Sequence, residues 1–375
     1  MNTVTAAGLP IGDDHPPRIM GVLNVSEESP YDPSVFDDPA EAARYVDEEL
    51  LAEGADIVDV GLESANKRFD VLDAAEELER LDTAIEAIER VEGDAVFSIE
   101  TRYSEVADAA LERGFDMVND VCGFADPEMP EVCAAHDAAV VKMASPPDLD
   151  RPGAIADVDD IYDALSRNGL TEKTIVDPAF GGWTEEKTLD DDRETFRRLR
   201  EFRGYGQPIL VSINRKNFLR DIADRSTEDA LPVSLAATSM AVERGAHVIR
   251  THDVAETRDA ALVGRAFTRE RHRDRAVEEL DVTTTREAER HIDRLDGVHG
   301  AARGSVARAF EVHPPRDSRA QLVDAAAATG VVCTGRDAAL FVAGTDAELH
   351  AFADRVANAS KALAGVAGEI RTSLS

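Results

Sequence analysis

Seven polar residues stand at or just past the ends of short apolar runs: Asn24, Glu100, Asn119, Asp177, Lys216, Arg250 and His252. Their types suggest two tasks. Lys216, Arg250 and His252 could converge on an anionic group. Glu100, Asn119 and Asp177 could accept hydrogen bonds from the N–H donors of a flat, nitrogen-rich heterocycle. Together they suit a heterocycle bearing a phosphate or diphosphate. Caps and helix starts explain any one of them taken alone; the set is more specific. Lysine occurs only at Lys67, Lys142, Lys173, Lys187, Lys216 and Lys361. A lysine beside a strand end is therefore hard to dismiss as solvated surface. No Ser/His/Asp or Cys/His constellation stands out. Cys122, Cys133 and Cys333 contain no C-x-x-C pair, so neither a disulfide framework nor a zinc site is expected, which fits a reducing cytoplasm. His299, His313 and His350 lack metal-ligand spacing and read as surface residues.

The apolar runs must place these groups. Ile19–Asn24, Asp56–Val60, Ala95–Ile99, Asp116–Val121, Ala139–Met143, Thr174–Asp177, Ile209–Ser212 and His247–His252 are short and rich in Val and Ile, as buried parallel strands are. Helical stretches separate them, and several stop at Gly54, Gly114, Gly169 and Gly245. Eight strands alternating with eight helices over about 250 residues predict an α/β fold of the (β/α)8 TIM-barrel type, whose chemistry sits at the C-terminal strand ends. An open doubly wound sheet would usually carry a Gly-rich loop after its first strand, and none is present.

Residues 1–17 read as an N-terminal tail, 18–268 as the barrel and 269–280 as a charged linker. Residues 281–375 read as a small α+β appendage without a catalytic motif. In it, Leu280–Thr284 is expected as a strand and Arg286–Leu295 and Ser318–Thr329 as helices. A hairpin across Gly335 and a long terminal helix over Ala347–Arg371 are expected after them.

The chain has 375 residues, with 75 Asp and Glu against 41 Lys and Arg and a formal net charge of −34. A surface this negative repels nucleic-acid backbones and anionic membranes. No apolar run reaches the roughly 20 residues of a membrane helix, and no signal peptide is read. An even spread of acid with little Lys fits a protein adapted to high salt, where the Debye length shrinks to roughly 3 Å at 1 M.

The ordered motifs resemble those of dihydropteroate synthases. Ile19-Met20-Gly21-Val22-Leu23-Asn24-Val25-Ser26 is similar to their opening strand, and Gly54–Gly61 followed by Glu63-Ser64 to their second. Met117–Val121 resembles the fourth strand, and Asp177-Pro178-Ala179-Phe180-Gly181 their D-P-G-x-G segment. Asn214–Leu219 resembles S-R-K-S-F-[IL], and Arg250-Thr251-His252-Asp253-Val254 the closing R-[VT]-H-D-V. The matches keep family order over about residues 18–267. The resemblance implies condensation of 6-hydroxymethyl-7,8-dihydropterin diphosphate with p-aminobenzoate, giving dihydropteroate and diphosphate on the folate pathway. It implies that Asn24 coordinates Mg²⁺ with the diphosphate and that Asn119, Asp177 and Lys216 bind the pterin, with Glu100 where the family has Asp. Arg250 and His252 would hold the leaving diphosphate. A homodimer through barrel helices is also implied.

Three departures stand out. The family's first loop, T-P-D-S-F-S-D-G, is here Ser26–Pro33, and S-T-R-P-G is here Ser64-Ala65-Asn66-Lys67-Arg68. Glu100 is one methylene longer than Asp, so its acid must shift by roughly 1.5 Å. The first two loops normally shape the p-aminobenzoate pocket, and Lys67 or Arg68 could replace the missing Arg. The alternatives are a diverged pterin-binding paralogue using a modified aminobenzoate, and a barrel moving a methyl group from a reduced pterin to a corrinoid. The latter needs no diphosphate site, so Lys216, Arg250 and His252 count against it.

Overall fold

The computed structural model describes residues 1–25, 34–63, 71–181, 187–274, 276–298, 300–315, 318–335 and 339–374. Its contacts divide the chain into two compact units, Met1–Glu270 and Arg271–Ser375.

The first unit opens with a hairpin, β1 (Val4–Ala6) and β2 (Leu9–Ile11), antiparallel across Ala7-Gly8. Residues 1–17, read from the sequence as a tail, therefore hold regular structure. Eight parallel strands follow: β3 (Arg18–Asn24), β4 (Ile57–Gly61), β5 (Val96–Thr101), β6 (Met117–Asp120), β7 (Ala139–Met143), β8 (Thr174–Asp177), β9 (Leu210–Val211) and β10 (Val248–Thr251). Their order is β8-β7-β6-β5-β4-β3-β10-β9, and a parallel bridge between Val176 and Ile209 joins the two ends into a nearly closed barrel.

Side chains alternate across each strand. The inward set near the N-terminal ends includes Met20, Ile57, Val96, Met117, Val141, Ile175, Leu210 and Val248. Val4, Ala6 and Ile11 of the hairpin pack onto it, so the hairpin plugs the bottom of the barrel. The outward set meets the helices in one large core.

Those helices are α1 (Pro39–Tyr45), α2 (Ala74–Ile88), α3 (Ser104–Glu112), α4 (Met129–Ala135), α5 (Val158–Ser166), α6 (Leu189–Arg197), α7 (Asn217–Ala223), α8 (Leu231–Glu243) and α9 (Val254–Phe267). A wide π-type turn, Val46–Leu51, continues α1, and a 3₁₀ stretch, Leu199–Tyr205, follows α6. Asp38, Asp73, Asp157 and Thr188 cap helix starts with their side chains. Gly54, Gly114, Gly169 and Gly245 all take positive φ, as helix stops require. Helix α7, directly after the Arg215-Lys216 pair, is not anticipated by the sequence periodicity.

The second unit holds α10 (Thr285–Arg294), β11 (Ala307–Val312), α11 (Arg319–Ala327), β12 (Val332–Thr334), β13 (Leu340–Thr345), α12 (Asp346–Ala359) and α13 (Ala364–Leu374). Its sheet is antiparallel in the order β11-β13-β12. Leu322, Val342, Leu349, Phe352, Val356 and Ile370 fill the core beneath. Three expectations change. Leu280–Thr284 forms no strand; Thr284 instead caps α10 in a reciprocal capping box with Glu287. Strand β11 was not anticipated. The long terminal helix is broken at Ser360, which is extended (φ −161°, ψ 138°) and caps the next turn through Ala362 N.

Candidate active site

Register places the polar strand ends on common rungs. Asn24 lies beside Gly61, Gly61 beside Glu100, and Glu100 beside Asn119. One rung below, Asp59 lies beside Ser98. The rung is tight at Gly61, where a Cβ would come within 2.9 Å of Asn24 Oδ1 and displace that amide.

Asp59 is fully buried and gathers three donors. Ser98 Oγ donates to its Oδ1 at 2.7 Å. Asn119 Nδ2 donates to Oδ2 at 2.9 Å, and Arg250 Nε donates to the same oxygen at 2.7 Å. Arg250 Nη2 donates to Glu100 Oε2 at 2.7 Å. The sequence motif included Asp59, yet its role was missed. The available signal was a carboxylate inside an unbroken apolar strand, two residues before a strand end.

Burial and crowding of charge set the electrostatics. Burial pushes the Glu100 carboxyl up to about 7 despite the Arg250 guanidinium. Burial raises Asp177 to about 6, against a backbone bond from Ala179 N at 2.8 Å and the charges of Lys216 and Arg250. Lys216 is held below the usual lysine range by burial first and by Arg250 second. Burial, then Arg250, lowers His252 to about 3. His252 is therefore neutral near pH 7 and can offer an N–H but no charge. That corrects its expected part in a cationic cluster: the cations here are Lys216 and Arg250.

The segment after β8 is built to approach Lys216. Ala179 is left-handed (φ 59°), as is Gly181 (φ 109°), where a Cβ would lie 3.1 Å from Lys216 Nζ. Two buried residues hold this turn. Lys187 Nζ donates to Ala179 O at 2.7 Å and pairs with Asp192 at 3.0 Å, and Asp192 accepts from Gly181 N. Phe180 stacks on Phe218 of α7, with ring centroids 5.7 Å apart. Lys187 and Asp192 were not singled out in the sequence; rarity of Lys was the only hint.

The structure brings Glu100, Asn119, Asp177, Lys216, Arg250 and His252 to one end of the barrel. It does not bring Lys142, which has outward parity on β7. Its Nζ donates to the carbonyls of Arg167 and Gly169 and sits 4.5 Å above the Phe124 ring. Nor does Arg215 serve the site; it forks onto Asp253 with two 2.8 Å bonds. The first and second loops, including Ser64, Lys67 and Arg68, lie outside the described residues.

The pterin binding enzyme family matches the chain over residues 20–252, well over half its length. The chain belongs to the pterin-binding enzyme family. Among its relatives is the probable bifunctional folylpolyglutamate synthase/dihydropteroate synthase of Halobacterium salinarum, 35% identical over 66% of this chain and 31% of that protein. The chain thus spans about a third of the length of that haloarchaeal relative, and of a second from Haloferax volcanii. The dihydropteroate synthase of Bacillus subtilis is 30% identical over 63% of this chain and 83% of its own. Among solved structures, the dihydropteroate synthase of Coxiella burnetii in complex with pteroic acid superimposes with a TM-score of 0.60. It is 28% identical and is covered over 98% of its length by 70% of this chain.

Within this pterin-binding barrel the Glu100 strand end carries a further feature. Arg102, almost wholly buried, bonds Glu63 Oε2, Leu72 O, Leu149 O and Tyr103 Oη, and lies 3.6 Å from Glu77. Glu77 also accepts from Thr101 Oγ1 at 2.6 Å, and burial raises it to about 7. A small cavity is lined by these groups and Glu100, together with Val121, Arg151 and Pro152.

Asn24 is the residue through which Mg²⁺ was expected. Its Nδ2 donates to Ser34 Oγ at 2.9 Å, which leaves Oδ1 as the oxygen facing the Gly61 gap. Among the described residues no group of three His, Cys, Asp or Glu could hold a metal. One amide oxygen fits a hard cation that keeps waters and is bound chiefly through substrate phosphate.

Proposed function

We propose that the barrel is a dihydropteroate synthase, joining 6-hydroxymethyl-7,8-dihydropterin diphosphate to p-aminobenzoate. The observation that carries this reading is Arg250, placed between two carboxylates at the barrel mouth with Lys216 opposite Asp177. Asp177, Asn119 and Glu100 accept the donor edge of the heterocycle. Lys216 and Arg250 hold the diphosphate, with His252 donating an uncharged N–H. The aniline nitrogen attacks the exocyclic methylene. A C–N bond forms, the C–O bond breaks, its electron pair leaves on diphosphate and the anilinium proton passes to solvent. Fixed cations stabilise the charge that develops on the leaving oxygen. Asn24 would hold Mg²⁺ through its amide oxygen, supplying further neutralisation of the diphosphate.

Transfer of a methyl group to a corrinoid would leave Lys216 and Arg250 without a task. The haloarchaeal relatives and the net charge of −34 support work in high salt, in the cytoplasm. No helix among the described residues is long and apolar enough to cross a membrane. Exposed Met240, Leu262, Val263 and Phe267 on α8 and α9 support homodimerisation through these helices. The deciding assay supplies pterin diphosphate, Mg²⁺ and p-aminobenzoate in molar KCl and measures dihydropteroate. Pterin binding without product would show that the acceptor is another aminobenzoate derivative.

A further inference from the structure

Glu100 and Arg250 belong to strands that are not neighbours; β4 and β3 separate them in the sheet. Their 2.7 Å contact therefore crosses the barrel interior. Arg250 cannot leave this position as a whole, because its Nε is fixed to Asp59, which Ser98 and Asn119 fix in turn. Its Nη2 faces Glu100, and there it is the partner that can change.

A guanidinium and the amino-pyrimidinone edge of a pterin present the same thing to a carboxylate: coplanar N–H donors on a rigid plane. We infer that in the ligand-free enzyme Glu100 and Arg250 occupy one another, so that heterocycle and diphosphate bind with positive coupling. This rests on the proposed pterin diphosphate site. A pterin alone would take Glu100 and strand Nη2 without an acceptor. Diphosphate alone would compete with Glu100 for Nη2 and leave the buried carboxylate without its donor. Each lone exchange leaves a desolvated charge unmatched, whereas both together leave none. The tendency of Glu100 to take a proton even beside Arg250 agrees with a carboxylate that tolerates partner loss poorly.

The extra methylene makes the contact. An aspartate on the same backbone would fall short of Nη2 by roughly 1.5 Å, beyond hydrogen-bond reach. Glu100 thus trades an open recognition site for one that answers to both halves of its ligand.

The test titrates full-length protein in molar KCl with 6-hydroxymethylpterin by fluorescence, with and without saturating inorganic diphosphate and Mg²⁺. Diphosphate is expected to tighten pterin binding about tenfold, and pterin to tighten diphosphate binding by the same factor. In Glu100→Asp the coupling should fall below about twofold while diphosphate alone binds more tightly than to the parent. If Glu100→Asp does not fold, Arg250→Lys, which keeps the charge but loses the fork, should show the same loss of coupling. Pterin affinity indifferent to diphosphate, or equal coupling in parent and variant, overturns the inference and leaves the reading of the site standing. Pterin that binds under neither condition overturns both.

Discussion

The barrel buries charge at both ends, and the two clusters behave in opposite ways. At the bottom, Arg203 forks onto Asp13 with bonds of 3.1 and 2.9 Å, and His247 Nε2 lies 3.0 Å from the same carboxylate. His247 Nδ1 accepts from Ile209 N, so its remaining proton points at Asp13. Although burial works against its charge, His247 and Arg203 hold the Asp13 carboxyl far below the usual range. At the top, burial raises Glu100 and Asp177 and lowers Lys216 and His252. In the bottom cluster a forked guanidinium and a ring N–H converge on one carboxylate and tie the segment after the hairpin to the segments before β9 and β10. At the top the shifts run against the charged forms, which is the strain that the proposed ligand would relieve. A buried ion pair is by itself weak evidence of purpose; whether its groups are at ease separates support from site.

The sharpest break in this contrast comes from the top. Lys216→Ala and Arg250→Ala are expected to lower kcat/KM by at least about 10²–10³-fold, with the melt of Lys216→Ala equal to or above the parent and that of Arg250→Ala lowered by the loss of its bonds to buried Asp59 and Glu100. Cooperative unfolding of both variants would make the top a structural cluster like the bottom. Arg203→Met should do the reverse. It strips two bonds from a buried carboxylate and should cost about 3–5 kcal/mol in denaturant unfolding, with kcat of the folded protein within about twofold. A large loss of activity without loss of stability would extend the site through the barrel.

Acidity sharpens the comparison further. Asp13 is depressed, so its contribution is present above the ordinary aspartate pKa near 3.8 and is lost as pH falls below it. Glu100 is raised from 4.5 to about 7, so the folded state holds the extra proton. Its contribution is full below about 4.5 and is lost as pH rises through about 7. Glu100→Gln should therefore gain on the order of 1–3 kcal/mol over the parent at pH 8 and little at pH 4.5, whereas Asp13→Asn should lose stability at both. Melting curves at the two pH values distinguish them. The smallest effect concerns the turn beside Lys216. Ala179 is left-handed where the family motif has Gly, so Ala179→Gly should raise stability by under about 1 kcal/mol in urea titrations. A loss would show that the turn relies on the alanine methyl.

The barrel is legible because its strands are Val- and Ile-rich runs separated by capped helices, and the ends of each run lie within two residues of the observed strand. Which polar residue faces inward was less legible. Lys142 and Asp177 both lie near strand ends, and only the pairing register shows that one points out and the other in. Asp59 was hidden because an acid within an apolar strand looks like an interruption until three donors are found around it. Arg102 acts through contacts with segments 30–47 residues away, and Lys187 and Asp192 through a turn whose shape no periodic pattern reports. Ser360 ended a helix that composition alone would continue, because its hydroxyl offered the backbone another partner.

The scarcity of lysine has a practical consequence. Lys142 and Lys187 are buried, Lys173 is engaged with Asp137, and Lys361 is exposed in the second unit. Among the lysines of the described residues Lys216 is the one at the barrel mouth, and burial, with Arg250 nearby, holds its amine below the usual lysine range. An amine-directed acylating reagent should thus meet few competitors on this surface. Peptide mass mapping of Lys216 modification over time would report occupancy of the mouth directly, with Lys361 as the internal standard.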